Sequence, residues 1–381
     1  MRYRIAEIIK NEGAPSLVSE ISFHPSGSYF AVTYETINEV RIFDSHTRKL
    51  LQVLKNPDSQ LDGPHGVLFT HKYLLITNKC NLKKPGIINV YRNGGATIEP
   101  IQSFQTPFNH LREPHSLALH DGRLVITYCE NLAPSGAIVS CEFNEETGKI
   151  SGPLDKTESW FQEYGDAKGI YFNSGGTKIF VTFASPKQFP IVERIYRSLS
   201  TDKDLPVSVQ IVNFSRKVIN RLRETILSIG QYSNNKSRIV LRESSYDLEG
   251  PNNRGTRPKK NGIAVFSINI DGKIARVPER IVELDTFRRL ENIDIFEDTC
   301  VITDLANRTL FLYDWTEDPE FKRPIQTVDL GNATPHGAKF SPDGRLLVTS
   351  SLGVKVADQV PQWSGWESPR EDKIVVFERA T

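Results

Sequence analysis

Residues 335–349 read PHGAKFSPDGRLLVT, an apolar strand followed by a Ser-Pro-Asp-Gly turn and a second apolar strand. Two apolar strands joined by a different short turn begin likewise at Pro64 and at Pro114, and a third β-rich strand follows each clear copy. Weaker copies begin near Glu20, Ala167 and Glu291. Short strands rich in Val, Ile, Thr and aromatic residues that recur every ~40–50 residues are typical of a propeller, in which each repeat is a four-stranded blade. The sequence therefore predicts an all-β fold, a β-propeller.

The number of blades depends on the repeat that starts at Ala167, which is much longer than the others. Within it, Glu224–Gly230, Arg238–Leu241 and Gly262–Phe266 resemble the first three strands of an additional blade, so we predict seven four-stranded blades. The alternative is six blades with a helical insertion, because apolar residues between 214 and 226 also recur at helical spacing.

The two ends of the chain complement each other. The last repeat stops after its third strand, Lys373–Phe377, whereas Tyr3–Ile9 is a strand without a repeat of its own. We expect this N-terminal strand to close the last blade, which would remove a free sheet edge. Residues 1–381 would then form a single propeller domain, with long loops or an insertion within 184–260 and 350–372.

The composition is that of a globular protein, with 38% hydrophobic and 24% charged residues. The 47 basic and 46 acidic side chains leave a net charge of +1, so no surplus of cations is available to neutralise phosphates and no nucleic-acid partner is predicted. No apolar run approaches the ~20 residues that span a bilayer, and the N-terminal residues lack the apolar stretch of a signal peptide. We therefore expect no transmembrane segment and a cytoplasmic protein.

The run PHGAKFSPDGRLLVTSS and its weaker copies resemble the inner-strand motif of YVTN and lactonase-like propellers, a group that includes 6-phosphogluconolactonases of the seven-bladed type. The resemblance covers most of the chain. Third strands such as Val40–Asp44 also look like the end of a WD40-like repeat, although a WD repeat places its Gly-His pair farther ahead of the strand aromatic. The resemblance implies a propeller that binds a small polar or anionic metabolite and acts as a sugar-lactone hydrolase at the mouth of the central channel.

Candidate site residues follow from the start of each first strand, which lines the channel of a propeller. Four residues before the apolar end of these strands stand Ser19, His65, His115, Lys168, Asn292 and His336. The loops between second and third strands add Asn78, Glu130 and Asp304 at the same end of the blades. We predict that these side chains ring one mouth of the channel.

Water attack on a lactone carbonyl needs a base and a group that stabilises the oxyanion. His65, His115 and His336 are the candidate bases, with Glu130 to polarise an imidazole, and Lys168 is the candidate cation for an anionic group. Asn78, Asn292 and Asp304 are candidate ligand-binding residues, and Trp363 and Trp366 could stack on a sugar ring. The competing interpretation is structural: each Pro-His pair caps its strand and bonds the neighbouring blade.

The chain has no GxGxxG, Walker, HExxH or GxSxG motif, so we expect neither nucleotide-dependent chemistry, zincin proteolysis nor a hydrolase serine elbow, and we predict no cofactor. A divalent metal held by the three imidazoles at the channel mouth is a further alternative. Cys80 and Cys129 occupy similar loops beside His65 and His115 and suggest, less strongly, a thiol nucleophile or a mixed metal site. The main rival to metabolite binding is a non-catalytic protein-interaction scaffold, for which the basic segment 216–223 would be a contact.

Overall fold

The structure is a computed structural model that describes residues 1–11, 16–79, 85–93, 100–108, 111, 113–129, 136–184, 261–284, 287, 289–305, 307–331, 333–351 and 372–380. The strands within these ranges form six antiparallel sheets of four strands each. The described part also contains a short helix, α1 (Phe161–Tyr164). In the part of the chain that the structure describes, no helix is both long and apolar enough to cross a membrane.

The strands of each blade run from the propeller axis outward. Blade 1 contains β2 (Val18–Phe23), β3 (Tyr29–Tyr34), β4 (Glu39–Asp44) and β5 (Leu50–Lys55). Blade 2 contains β6 (Pro64–Phe69), β7 (Tyr73–Asn78), β8 (Ile87–Arg92) and β9 (Gln102–Phe104). Blade 3 contains β10 (Glu113–His120), β11 (Arg123–Cys129), β12 (Ala137–Asn144) and β13 (Lys149–Thr157).

The second half of the propeller follows the same plan. Blade 4 contains β14 (Asp166–Phe172), β15 (Lys178–Ala184), β16 (Asn261–Ser267) and β17 (Arg280–Glu283). Blade 5 contains β18 (Leu290–Phe296), β19 (Thr299–Asp304), β20 (Thr309–Asp314) and β21 (Gln326–Asp329). Blade 6 contains β22 (Pro335–Phe340), β23 (Leu346–Ser351), β24 (Lys373–Arg379) and β1 (Tyr3–Lys10).

Burial decreases from the axis to the rim of each blade. The first strands contact one another around the axis, and those of blades 1 and 2 are almost completely buried. The fourth strands lie at the rim, where β1 exposes Ile5 and Ile8. Apolar side chains of adjacent blades pack face to face, as Ile21 of blade 1 does in one cluster with Val348 and Ile374 of blade 6. Burial of these faces is the main force that holds the blades together.

The prediction of seven blades is wrong, and the alternative of six is confirmed. Strand β16, which contains the proposed third strand Gly262–Phe266 of a separate blade, pairs with β15 from Lys178↔Ser267 to Ala184↔Asn261. It is therefore the third strand of blade 4. The long segment between the two strands is an insertion into the β15–β16 connection, and whether it is helical lies outside the described residues.

The predicted closure of the propeller is confirmed. Strand β1 pairs antiparallel with β24, from Tyr3↔Arg379 to Lys10↔Lys373. The N-terminal strand thus completes the sheet that the C-terminal repeat leaves one strand short, and it covers the edge that β24 would otherwise expose.

A β-bulge near the start of every first strand positions the channel residues. In blade 2, Pro64 pairs with Asn78 and Val67 with Ile76, so His65 and Gly66 together lie opposite Thr77. The other five first strands shift register at the equivalent place. Because a bulge leaves backbone groups unpaired and redirects side chains, it turns this point of each strand toward the axis.

Candidate functional site in the central channel

Six side chains, the first bulge residue of each first strand, form what we call the ring layer. They are Ser19, His65, His115, Lys168, Glu291 and His336. Blade 5 contributes Glu291 here rather than the expected Asn292. Its strand aligns with the others through Ile295, which pairs with Cys300 as Phe340 pairs with Leu347, and not through Phe296.

The second bulge residue of each strand forms what we call the second layer, one step farther along the channel. It consists of Glu20, Gly66, Ser116, Gly169, Asn292 and Gly337. Glycine thus alternates with a polar residue around the axis. The glycines are needed because the neighbouring blade comes close: a Cβ on Gly66 would lie 2.2 Å from the carbonyl oxygen of His115.

A hydroxyl on each second strand joins the two layers and links neighbouring blades. In blades 1 to 5 it belongs to Thr33, Thr77, Thr127, Thr182 and Thr303. Each accepts the second-layer N–H of its own blade at 2.6–3.0 Å. Each also donates to the ring-layer carbonyl of the next blade at 2.6–3.2 Å. In blade 6, Ser350 accepts from Gly337 and donates to the Ser19 carbonyl.

Three imidazoles converge within the ring layer. The ring centroid of His65 lies 4.0 Å from that of His115 and 4.9 Å from that of His336, and the other two centroids are 5.6 Å apart. One nitrogen of each ring lies within 4.8 Å of the corresponding nitrogens of the other two. The structure therefore brings together the three histidines that the sequence analysis selected, all of them buried.

Hydrogen bonds to Nδ1 fix the tautomers of two of these rings. Nδ1 of His65 lies 3.2 Å from the His115 carbonyl, which can only accept, so this nitrogen carries the proton. Nδ1 of His115 lies 3.2 Å from the Ser116 hydroxyl, whose own proton goes to Glu20 Oε1 at 2.9 Å when Glu20 is ionised, so His115 Nδ1 is then the donor. The Nε2 atoms of both rings therefore carry free lone pairs.

Glu291 is the anion of the ring layer. Its Oε2 lies 3.7 Å from His115 Nε2 and 3.8 Å from both His336 Nε2 and Lys168 Nζ. Its Oε1 accepts from Arg289 Nε at 2.6 Å. Burial opposes ionisation, but the charges of Lys168 and Arg289 outweigh it and lower the pKa of Glu291 to about 2. The carboxylate is thus ionised at neutral pH.

The imidazoles are uncharged at neutral pH. Burial, together with nearby cations, holds the pKa values of His65 and His115 well below the usual range. The same burial lowers the pKa of His336 to about 4, although Glu291 acts in the opposite direction. Lys168 remains cationic, because the surrounding Cys129, Glu291 and Asp166 raise its pKa despite its burial. The ring layer thus combines three neutral imidazoles, the Glu291 anion and the buried Lys168 cation.

Partly exposed charges mark the side of the cluster that solvent reaches. Arg289 and Lys79 are each 18% exposed and Glu35 is 20% exposed, whereas His115 and Glu291 are 1% exposed. Glu35 Oε2 lies 3.4 Å from Lys79 Nζ and 3.9 Å from His65 Nε2. These partly exposed charges thus contact the buried cluster at His65 and at Glu291.

The second layer contains its own polar cluster. Asn292 Nδ2 donates to both carboxylate oxygens of Glu20, at 3.0 and 2.8 Å, and Ser116 donates to Oε1. Burial raises the pKa of Glu20 to about 7, although Lys339 and these hydrogen bonds favour the anion. Asn292, expected among the ligand-binding residues, therefore holds a buried carboxylate.

Two other predicted ligand-binding residues lie at the ends of second strands and bond to the backbone. Asn78 Oδ1 accepts from the Asp62 N–H at 2.9 Å. Asp304 Oδ1 accepts from the Arg289 N–H at 3.0 Å, and its Oδ2 accepts from Asn307 Nδ2 at 2.6 Å. Both side chains are fully buried and support the chain that precedes a first strand.

Several sequence-based candidates lie outside the described residues. They are Cys80, Glu130, Trp363, Trp366 and the basic segment 216–223. Cys129 is described: it is buried at the end of β11, and its Sγ lies 3.8 Å from Glu113 Oε2.

Sequence reasoning missed Glu20, Arg289 and Glu291 as members of the channel cluster. A usable signal was present for Glu291: the second strands of blades 1 to 5 repeat a β-branched residue followed by threonine, as in Ile302-Thr303, and the bulge lies opposite that threonine. Alignment on the threonine places Glu291 in the ring layer. No comparable signal exists for Arg289, which lies before its strand.

The chain matches no protein-family model and no curated protein sequence. Its fold is similar to those of solved structures. A luciferin-regenerating enzyme has a TM-score of 0.55 at 9% identity, over 98% of this chain and 95% of its own. A structure described as a gluconolactonase has a TM-score of 0.52 at 10% identity, over 99% and 97%. Hydrazine synthase of Kuenenia stuttgartiensis has a TM-score of 0.51 at 12% identity, over 100% and 99%.

These identities support a statement about the fold alone. The expected resemblance to lactonase-type propellers is confirmed at that level, with six blades in place of the seven expected from the 6-phosphogluconolactonase type.

Proposed function

We propose that the chain binds a small polar metabolite at the ring layer and hydrolyses a lactone, with sugar lactones as the substrate class. The observation that carries this proposal is the convergence of three uncharged imidazoles beside a buried carboxylate and a buried ammonium group. One of the similar structures is described as a gluconolactonase, a name that refers to a sugar lactone, and its alignment covers 99% of this chain.

The proton acceptors in this proposal are the Nε2 atoms of His115 and His336. Each has a carboxylate oxygen of Glu291 within 3.8 Å, which stabilises the imidazolium that forms when a water molecule gives up its proton. The water oxygen then bonds to the lactone carbonyl carbon. When the ring C–O bond breaks, the imidazolium returns the proton to the leaving alkoxide, and the product is a hydroxy acid.

The cations of the cluster stabilise the oxyanion in this scheme. Lys168 is buried and lies next to Glu291, so its ammonium group acts where little water screens its charge. Lys79, on the partly exposed side, provides a second positive charge for an anionic substrate or for the carboxylate of the product.

The experiment measures lactone hydrolysis by proton release with a panel of five- and six-membered aldonolactones, and binding by calorimetry. We expect hydrolysis above the uncatalysed rate, and a decrease of roughly 10²–10³-fold in kcat/KM for His115→Gln and His336→Gln. His46→Gln is the matched control, because His46 is exposed on the turn after β4. It should retain the parent activity.

A chain that neither binds nor hydrolyses any lactone of the panel would contradict the proposal. The expected alternative, a protein-interaction scaffold, would then be the better interpretation. Hydrolysis that survives both histidine substitutions would also contradict it, because the activity would not arise at the ring layer.

A further inference from the structure

We infer that His65, His115 and His336 bind a first-row divalent transition-metal ion, with zinc as the reference ion and Glu291 as the carboxylate that completes the site. This inference goes beyond the proposed hydrolysis, because metal binding is measured without any lactone. An ion bound to Nε2 of His115 and His336 would occupy the lone pairs that accept the proton in that scheme, so the two atoms act as bases only in the metal-free protein. It rests on geometry, on the hydrogen bonds behind the imidazoles and on two buried polar atoms that have no hydrogen-bond partner among the described residues.

The geometry fits a small ion. Zinc bonds imidazole nitrogen at ~2.0–2.1 Å, so three ligand nitrogens around one tetrahedral ion stand roughly 3.3 Å apart. The three histidine nitrogens already lie within 4.8 Å of one another. Side-chain rotations that move each nitrogen by less than about 1 Å would bring them to bonding distance. The backbone is fixed on both sides, since Thr33, Thr77 and Thr303 hold the carbonyls of the three histidines.

The hydrogen bonds behind the rings are those of metal-binding histidines. A ligating imidazole commonly donates its other N–H to a carbonyl or to a hydrogen-bonded acceptor, which orients the ring and fixes the tautomer. His65 Nδ1 donates to a backbone carbonyl, and His115 Nδ1 donates to Ser116, which is held in turn by Glu20. The remaining lone pairs are at Nε2, and for His115 that atom faces Glu291.

Two atoms in the cluster lack the partners that buried polar atoms normally have. Among the described residues, Glu291 Oε2 and His336 Nδ1 are buried without a hydrogen bond. A buried polar atom in this state requires an explanation, and an ion or ordered water is a common one. A cation between the imidazoles and Glu291 Oε2 would satisfy the carboxylate oxygen directly.

The donor set selects the class of ion. Imidazole nitrogens suit zinc and the other late first-row divalent ions, whereas calcium and magnesium prefer a full set of oxygens. Three imidazoles and one carboxylate fill the four positions of a tetrahedral ion, so water or substrate could reach the ion only if the carboxylate moved away or a fifth ligand were added. Lys168 competes with the ion for Glu291 Oε2, so its charge weakens binding.

The test is a titration of chelator-treated, full-length protein with Zn²⁺ against a chromophoric competitor, repeated with Co²⁺ to read the ligand field by visible absorption. We expect one equivalent of Zn²⁺ per chain. His336→Gln should weaken binding at least 100-fold, and Ser116→Ala, which alters a positioning residue behind His115, about 10-fold. His46→Gln should bind as the parent protein does.

Lys168→Met separates loss of the site from loss of the fold. It should tighten Zn²⁺ binding, because it removes the cation that competes for Glu291, and a misfolded variant would not bind more tightly. No stoichiometric uptake by the parent protein, or uptake unchanged in His336→Gln, would overturn the inference. Lactone hydrolysis that persists at full rate after chelation would leave the proposed function standing and exclude the metal from it.

Discussion

The ring layer and the second layer are consecutive along every first strand, but they differ in how completely their buried polar atoms are hydrogen-bonded. In the second layer, Glu20 is bonded by Ser116 and Asn292, and every backbone N–H meets a hydroxyl of its own blade. In the ring layer, Glu291 Oε2 and His336 Nδ1 have no hydrogen-bond partner among the described residues. The second layer is completed within the protein, whereas the ring layer leaves acceptors available to a ligand.

The two layers therefore differ in role: we expect the second layer to contribute mainly to stability and the ring layer mainly to ligand binding. A hydrogen-bonded buried group stabilises the fold only while its partners remain, whereas an unpartnered buried atom costs free energy that the rest of the fold must offset. Substitutions in the second layer should therefore act on the free energy of unfolding, and substitutions of the ring-layer imidazoles mainly on binding.

The largest effect on stability is expected at Gly66. Its missing Cβ is the space in which the His115 carbonyl lies, and the added methyl group of Gly66→Ala would meet that oxygen at 2.2 Å and the Thr77 hydroxyl at 2.9 Å. Both neighbours are held by hydrogen bonds between blades, so we expect a loss of about 3 kcal/mol in the free energy of unfolding. Urea denaturation followed by circular dichroism measures it.

Gly331→Ala is the matched control for this substitution. Gly331 has a φ of 60°, which disfavours alanine, but nothing lies within 4 Å of its Cβ position. Its cost should be only the backbone term of roughly 1 kcal/mol. Equal losses for the two variants would show that the close approach of the blades is not what requires glycine in the second layer.

The second expected effect is a pH dependence of stability at Glu20. Its pKa is about 7 in the folded protein against an ordinary value of 4.5, because burial favours the neutral acid. A carboxyl group with a raised pKa stabilises the fold fully below about pH 4.5, and this contribution is lost as pH rises toward 7. The loss is on the order of 3 kcal/mol. Lys339 and Glu291 also act on this group, in opposite directions.

Glu20→Gln should remove this dependence. Urea denaturation from pH 4.5 to 8 should give similar stabilities for variant and parent at the acid end and a more stable variant at the neutral end. Glu317→Gln, an exposed side chain on the turn after β20, should follow the parent at every pH. A constant difference between Glu20→Gln and the parent across the range would mean that folding does not raise the pKa of Glu20.

The fold could be predicted from the sequence because the patterns that indicate it lie within short stretches of the chain. Apolar strands, the Ser-Pro-Asp-Gly turn at 341–344 and the unpaired terminal strands predict the propeller and its closure, and both are observed. The prediction of seven blades was wrong because short β-rich runs in the sequence of the inserted segment resemble the strands of a blade. The hydroxyl residue opposite each bulge gives the right count, since it is threonine in blades 1 to 5 and Ser350 in blade 6, whereas Arg238–Leu241 contains neither residue.

The residues of the candidate site could be predicted from the sequence only in part, because they depend on the register of each first strand and on side chains from other blades. The three histidines each follow a proline at the start of a first strand, and this Pro-His pattern made them recognisable in the sequence. Glu291 was missed through a one-residue error in aligning β18, and a one-residue slip exchanges the layers. The pairing of Glu291 with Lys168 joins residues far apart in the chain, and strand periodicity carries no information about it.

The smallest effect on stability is expected at His336, where the contrast between the layers is most direct. Within the described residues its side chain makes no hydrogen bond, although it packs against the rings of His65 and His115. His336→Gln should therefore change the free energy of unfolding by less than about 1 kcal/mol when measured with a chelator present.

Thr303→Val is the comparison variant, because it alters the hydrogen bonds of the backbone at His336 and leaves the imidazole in place. It removes the hydroxyl that donates to the His336 carbonyl and accepts from the Asn292 N–H, and it should cost about 2 kcal/mol. If His336→Gln were as destabilising as Thr303→Val, the imidazole would be part of the framework that holds the blades, and the ring layer would not be the place to look for the chemistry of this protein.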